Sequence, residues 1–336
     1  MIDAIKGKGC AVLLFCLILS PVCLSAAEIS TAIRSDNPAR VQAPVEKAPA
    51  SVQGKTPAEQ GQEAGEDQFD METFRLGERL HRITFPWGMR NNLVVLSGPD
   101  GILLVDSGFM KQTVGALREK IGELAGGDIR FVINTHFNSD HVAGNEIAGS
   151  TGKVIGLGEL GSPDLQPVLS RSPDPLRSRT GRELPAPYLL RFSGEDVKIV
   201  PYPGLHSRDD ILIQFEKSGV VCMGDLLLSQ NCPAVEDVAG YMEFLEKVID
   251  VFPEGTVFVS GHGRDLTMAG LRKYRDDLKA MNAMVKKGVE AGRSAEEMKR
   301  SDLLKEFKPG YSFLEWLGPD WWIDQVSRSL RPNAGR

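Results

Sequence analysis

Beyond position 23 the sequence contains only two cysteines, Cys222 and Cys232. Two thiols cannot make the framework of a disulfide-stapled scaffold, and Cys222 lies in the apolar run Val220-Val221-Cys222-Met223, where a buried free thiol is the commoner outcome. Positive charge is also short: 39 Lys and Arg stand against 45 Asp and Glu, a net charge of -6. No basic field is available to attract a polyanion, which argues against nucleic acid or an anionic membrane surface as partner. Nor does any apolar run reach the ~20 residues that a membrane-spanning helix needs. No internal repeat at a solenoid period is present. What remains is ordinary globular composition, 42% hydrophobic and 25% charged over 336 residues, for which a small-molecule substrate is the natural partner.

The apolar stretch at residues 11–19 follows Lys6 and Lys8 and precedes the small-residue site Ser25-Ala26-Ala27. This is the layout of a secretory signal peptide, residues 1–27, and it predicts a periplasmic or secreted protein with no stable membrane span once the segment is removed. Three of the five cysteines leave with it. Residues 28–68 are rich in Ala, Pro, Gln, Glu and Ser and poor in large apolar side chains, so they are expected to form a disordered linker. A single structured domain is expected over residues 69–336.

Within that domain, strand and helix signals alternate. Leu93-Val94-Val95-Leu96 and Ile102-Leu103-Leu104-Val105 flank the turn Gly98-Pro99-Asp100-Gly101, a hairpin signal. Val114, Leu117, Ile121 and Leu124 have helical spacing and lead to the strand Phe131-Val132-Ile133. Further strand runs follow at residues 154–155, 197–200, 211–215, 220–223 and 257–259, with helical patterns at 241–251 and 266–289. Residues 161–187, rich in Pro, Arg and Ser, are expected to be a surface loop. Trp316, Trp321 and Trp322 are expected to anchor helix packing near the C-terminus, and His81 has no motif around it.

The chemistry concentrates in Thr135-His136-Phe137-Asn138-Ser139-Asp140-His141, which follows the strand at 131–133. Four potential metal-binding side chains, His136, Asn138, Asp140 and His141, lie within six residues on a loop that can turn them all inward, and imidazole and carboxylate are the donors that hold zinc or iron. The remaining candidates also follow strands: His206 after Pro203-Gly204, Asp225 after Met223-Gly224, and His262 within Gly261-His262-Gly263. Four of the five histidines occupy such positions. Strand ends converge on one edge of a sheet, where open sites form.

These residues, with Leu104-Val105-Asp106-Ser107-Gly108 before them, resemble the metallo-β-lactamase superfamily, whose pattern is HxHxDH, a histidine, an aspartate after glycine, and a histidine within Gly-His-Gly. The Asp at position 225 is similar to that of glyoxalase II-like members rather than to the Cys or Ser that β-lactamases mostly place there. The resemblance spans about residues 80 to 270, and the weight lies in five motifs in order. It implies an α/β fold, an αββα sandwich of four layers, and a metal site at one edge of its two sheets. It further implies that His136, Asn138 and His206 form a first metal site, that Asp140, His141 and His262 form a second, and that Asp225 bridges them. Asp106 and Asp210 would orient ligands or serve their turns structurally.

Position 138 departs from the pattern, because an amide oxygen is a poorer zinc ligand than an imidazole. The expectation is therefore one firmly bound Zn²⁺ at Asp140, His141 and His262 and a second bound weakly or not at all. The function expected is a secreted metal-dependent hydrolase that turns metal-activated hydroxide on the carbonyl of a small ester, lactone, thioester or amide, with Asp140 or Asp225 as the catalytic residue that orients the water and helps to shuttle its proton. Two alternatives stand beside it: a mononuclear Fe²⁺ enzyme like the persulfide dioxygenases, using His136, His206 and Asp225, and a non-catalytic periplasmic metal- or ligand-binding protein.

Overall fold

A computed structural model describes residues 69–86, 88–172 and 186–330. The expected signal peptide and linker lie outside the described residues. The first sheet consists of β1 (Glu72–Arg75), β2 (Leu80–Thr84), β3 (Asn92–Gly98), β4 (Gly101–Val105), β5 (Ile129–Ile133) and β6 (Lys153–Ile155), paired in that order. The second runs from β13 (Leu266–Thr267) through β12 (Val257–Val259), β11 (Val220–Cys222), β10 (Ile211–Phe215), β9 (Glu195–Pro201) and β8 (Tyr188–Phe192) to β7 (Leu169–Arg171). The helices are α1 (Val114–Leu124), α2 (Ser139–Val142), α3 (Val238–Val251), α4 (Met268–Glu290), α5 (Ala295–Arg300) and α6 (Pro319–Ser329).

The two-residue period of the strands sorts their side chains into layers. In β4, Leu103 and Val105 join Phe131 and Ile133 of β5 and face Ile199, Ile211, Ile213, Val220 and Cys222 of the second sheet. Their alternates Ile102, Leu104 and Val132 turn outward onto Leu117 and Ile121 of α1. On the other side, Leu212, Val221 and Phe258 pack beneath α3, α4 and α6 through Phe244, Leu271, Leu278 and Trp322. The result is the expected αββα order, with the central strands of both sheets covered on both faces, while the edge strand β1 stays exposed.

Several sequence expectations shift. Cys222 is buried between the sheets, Cys232 is buried under α3 and α4, and both are free thiols. The segment expected as a loop over 161–187 begins as turns but contributes the edge strand β7, which pairs with β8; residues 173–185 lie outside the described ones. Leu266 and Thr267 open the fourth helix's pattern as a strand, and Thr267 caps α4 by accepting the Gly270 amide. Of the three tryptophans, Trp322 is fully buried, Trp321 half-buried and Trp316 62% exposed. Trp316 is therefore no packing anchor: it sits in the single turn Glu315–Leu317, which buries Leu317 instead. No helix among the described residues is long and apolar enough to cross a membrane.

Candidate metal centre

The C-terminal ends of β4, β5, β9, β11 and β12 deliver Asp106, the 135–141 run, His206, Asp225 and His262 to one edge of the sandwich. Past strand ends the chain is free of the ladder, so these side chains can converge from both sheets. The arrangement depends on tight backbone. Asp106 sits at φ 59, a left-handed conformation uncommon for a residue with a side chain. Its amide still donates to Ile133 and its carboxylate turns back to accept the Thr135 amide at 2.8 Å. Gly224, at φ 51, lies against the Thr135 side chain, where a Cβ would collide.

Four imidazoles are oriented by their Nδ1 atoms. His141 Nδ1 donates to Asp106 Oδ2 at 2.8 Å, His262 Nδ1 to the Met89 carbonyl at 2.9 Å, and His206 Nδ1 to the Ala234 carbonyl at 3.0 Å. The Thr135 hydroxyl gives its proton to Asp106 Oδ2 and accepts from His136 Nδ1 at 3.1 Å. Partners of this kind fix one tautomer and leave each Nε2 facing inward. Asp106 thus serves two of the four rings. Asp210 serves a third by gathering the amides of Leu205, His206 and Ser207, which shapes the turn that carries His206.

The inward atoms divide into two groups that share Asp225. Oδ1 of Asp225 lies 3.3 Å from His141 Nε2 and 3.4 Å from His262 Nε2, and Asp140 Oδ2 lies 3.4 Å and 3.1 Å from the same two nitrogens. Oδ2 of Asp225 faces the other way, 3.5 Å from His206 Nε2 and 3.9 Å from His136 Nε2. In each group the candidate ligand atoms lie within 4.8 Å of one another. His136 Nε2, His141 Nε2 and Asp225 Oδ1 are buried without a hydrogen-bond partner. Buried polar atoms normally find partners, and orphaned nitrogens and oxygens turned into each of the two groups are what cations satisfy. The residues present fit a metal.

Asn138 is exposed, and its Nδ2 approaches His206 Nε2 at 3.0 Å. Because His206 gives its Nδ1 proton to Ala234, the lone pair is on Nε2, and the Asn138 amide meets it as a donor.

Burial raises the cost of charge here, and the groups respond as a coupled set. Burial pushes Asp225 and Asp140 up, but His262 and His141 outweigh it and hold both carboxyls far below their usual range. The converse applies to the rings. Burial works to lower His262, yet Asp225 and Asp140 hold it up at about 9, and His141 is raised well above its ordinary value by Asp106 and Asp225 against the same penalty. Burial and the neighbouring His141 lower His136 to about 4. Without a cation, protons on His141 and His262 balance the two acids.

Sequence reasoning missed the supports supplied by Met89, Asn91 and Ala234. Asn91 Nδ2 donates to the Asp140 carbonyl at 2.9 Å, and neighbouring Asn92 Nδ2 donates to the carbonyls of Ser260 and Gly263 around His262. The paired amides Asn91-Asn92 at the start of an apolar strand were the available signal. The carbonyls of Met89 and Ala234 carry no signal at all, since every residue has one.

A profile of the Metallo-beta-lactamase superfamily matches residues 86–284. Among curated proteins, "Beta-lactamase-like protein 2 homolog" of Drosophila melanogaster is 28% identical over 140 residues, covering 39% of this chain and 44% of that one, so the match spans less than half the length of that relative. Among solved structures, a stereoselective inverting sec-alkylsulfatase from Pseudomonas sp. matches 77% of this chain and 50% of that one, at 14% identity and a TM-score of 0.56. A metallo-beta-lactamase from Pontibacter korlensis matches 62% of this chain and 98% of that one, at 14% identity and a TM-score of 0.47. At such identities the likeness is one of fold.

Proposed function

This chain belongs to the metallo-β-lactamase superfamily, and on that premise we propose that it is a hydrolase that directs water at the carbonyl of a small ester, lactone, thioester or amide. The observation that carries the reading is the division of Asp225, one carboxylate oxygen to each of two histidine groups with their Nε2 atoms turned inward. Asp140, His141, His262 and Asp225 would hold a divalent cation, which would supply Lewis acidity to acidify water and polarise a carbonyl. Zinc suits this nitrogen and oxygen donor set.

The chain's own contribution is orientation. Asp140 is the more open of the two acids, 15% exposed at its side chain against 8% for Asp225. Held anionic by His141 and His262, it can accept a hydrogen bond from a water and orient it. Asp225 keeps the two histidine groups in register. The Asn138 amide, by donating to His206 Nε2, blocks the lone pair that a first-site cation would use. This supports one firm metal at the second group and a weak or absent one at the first.

The test is metal stoichiometry by emission spectroscopy on wild type and Asn138→His, joined to turnover of ester, lactone, thioester and β-lactam substrates, nitrocefin among them. One tight metal in wild type, two in the variant and hydrolysis of a carbonyl substrate are expected. Failure to take up any divalent cation would overturn the reading in favour of a non-catalytic protein.

A second reading has one observation in its favour. His136, His206 and Asp225 form a group of two histidines and one carboxylate, the donor set of non-haem iron oxygenases. Iron in place of zinc after anaerobic purification would select this persulfide dioxygenase-like chemistry. Export to the periplasm, or secretion, is proposed from Lys6, Lys8, the apolar run and Ser25-Ala26-Ala27.

A further inference from the structure

The rings of His206 and His262 take support from a segment that contains no ligand. After Asp225 the chain runs through Leu226–Val235 before α3, and this stretch presents the Ala234 carbonyl to His206 Nδ1 and forms a bridge from Leu228 to the His262 backbone. The segment has no sheet or helix of its own to hold it. Its first half is tied to the core through Tyr241, Ser260 and Gly261, which bond the carbonyls of Leu226 and Leu227 and the amide of Ser229, whereas its second half, from Gln230 to Cys232, is held largely by residues beyond position 284, where the family match ends.

The clamp is the stretch 311–317. Asn231 and Ser312 form an isolated bridge, Phe313 donates its amide to the Gln230 carbonyl at 3.2 Å, and Cys232 donates to the Leu317 carbonyl at 2.9 Å. Asn231 stands at the centre. It is fully buried, its Oδ1 accepts the Leu314 amide at 2.6 Å, and its carbonyl accepts the Tyr274 hydroxyl of α4 at 3.3 Å. Leu228 packs with Leu314, Leu317 and Met89 in a small apolar cluster of its own. Met89 is the residue whose carbonyl orients His262. The C-terminal extension therefore touches the supports of two imidazoles and of neither His141 nor His136, whose rings rest on Asp106 and Thr135.

We propose that Asn231 is a positioning residue, and that the 311–317 clamp uses it to set the orientation and tautomer of His206, and so the capacity of the His206 half of the centre to hold a cation. A loop half that lacks its own ladder or helical hydrogen bonds keeps a backbone carbonyl on target only while the contacts that order it persist. Loss of the Asn231 side chain leaves a buried Leu314 amide unpaired and frees the loop at its midpoint. The proposal rests on the reading of the cluster as a metal centre, but its first readout does not need a metal.

The experiment compares wild type, Asn231→Ala and Asn231→Asp as full chains labelled with ¹⁵N-histidine. In chelator-treated wild type, His206 is expected as the single tautomer protonated at Nδ1. Asn231→Ala should convert it to a mixture while His141 is unchanged, and Asn231→Asp, which retains the acceptor, should restore it. With Co²⁺ as probe, affinity at the His206 group should fall at least tenfold in Asn231→Ala, with that of the His141–His262 group altered by less than threefold. Leu314→Ala, which thins the clamp while keeping the backbone amide that Asn231 accepts, provides the same comparison should Asn231→Ala not fold. An unchanged His206 tautomer, or equal disturbance of His141 and His206, overturns the proposal. A wild type that binds no Co²⁺ but shows the tautomer shift would instead overturn the metal reading and leave the positioning role standing.

Discussion

The Asn138 amide nitrogen and His206 Nε2 lie 3.0 Å apart, and the same Nε2 faces Asp225 Oδ2 at 3.5 Å. The donor that satisfies this nitrogen stands where a cation would. To admit a metal, the amide must rotate and surrender its hydrogen bond, which costs about 1 kcal/mol, a modest bias. Replacing it with imidazole adds a ligand as well as removing the competitor. Asn138→His is expected to convert substoichiometric second-metal occupancy to full occupancy at micromolar zinc, read by equilibrium dialysis.

Cation uptake should release protons. His262 is held at about 9 and His141 well above its usual value in the metal-free protein, so at pH 7 both nitrogens facing the acids carry protons that a metal must displace. Calorimetry in buffers of differing ionisation enthalpy should show proton release at pH 7 and an apparent zinc affinity that rises as pH approaches 9. A titration at pH 7 with no buffer dependence would contradict this.

The same shifts set a stability profile for the metal-free protein. His262 binds its proton more tightly folded than at the ordinary value of 6.5, so its contribution is full below pH 6.5 and is lost as pH rises through about 9. His136 is lowered to about 4, so its neutral form is favoured, and that contribution is lost as pH falls below 6.5 toward 4. Asp140 and Asp225, both lowered, also lose theirs on acidification. Urea midpoints of the metal-free protein should therefore peak near neutrality, whereas zinc should remove the alkaline decline.

Asp106 accepts from His141 Nδ1 and from both the amide and hydroxyl of Thr135. Loss of a carboxylate that orients a metal ligand typically lowers affinity or activity roughly 10- to 100-fold. Asp106→Ala should fall in that range for zinc affinity, and because Thr135 also orients His136, both histidine groups should weaken.

Gly261 precedes His262 where a Cβ would strike Asp225 Oδ1 and the Gly224 backbone. Gly261→Ala should displace the shared carboxylate, so turnover should drop by more than tenfold. Trp322→Ala offers the contrast. Trp322 is buried under α4 with its Nε1 on Asn282, so its truncation should cost about 3–5 kcal/mol of stability without altering the zinc affinity of the protein that remains folded.

Much of this was legible in the chain itself. The apolar runs Leu93-Val94-Val95-Leu96 and Ile102-Leu103-Leu104-Val105 about a Gly-Pro-Asp-Gly turn marked a strand pair, and the strand-end positions of His136, Asp140, His141, His206, Asp225 and His262 marked one edge as the candidate site. The edge strand Leu169–Arg171 was not legible, because three residues with one buried side chain carry too little periodicity to distinguish a strand from a loop. Trp316 misled for a related reason: an apolar residue in an apolar stretch reads as buried, but a single turn has room to bury only one of its side chains, and Leu317 took that place.

The sequence by itself determined which side chains are the candidate ligands, since donor type and strand-end placement are local properties. Only the tertiary structure decided how they are held. Asp106 reaches His141 across 35 positions, Met89 reaches His262 across 173, and Asn231 reaches Leu314 across 83. Two of these three contacts employ backbone groups common to every residue, which distinguish themselves only when folding brings one of them within 3 Å of a buried imidazole or amide. The meeting of Asn138 with His206, from loops on different sheets, is of the same kind: the substitution was visible in the sequence, but its occupation of the nitrogen that a metal would need was settled by the fold.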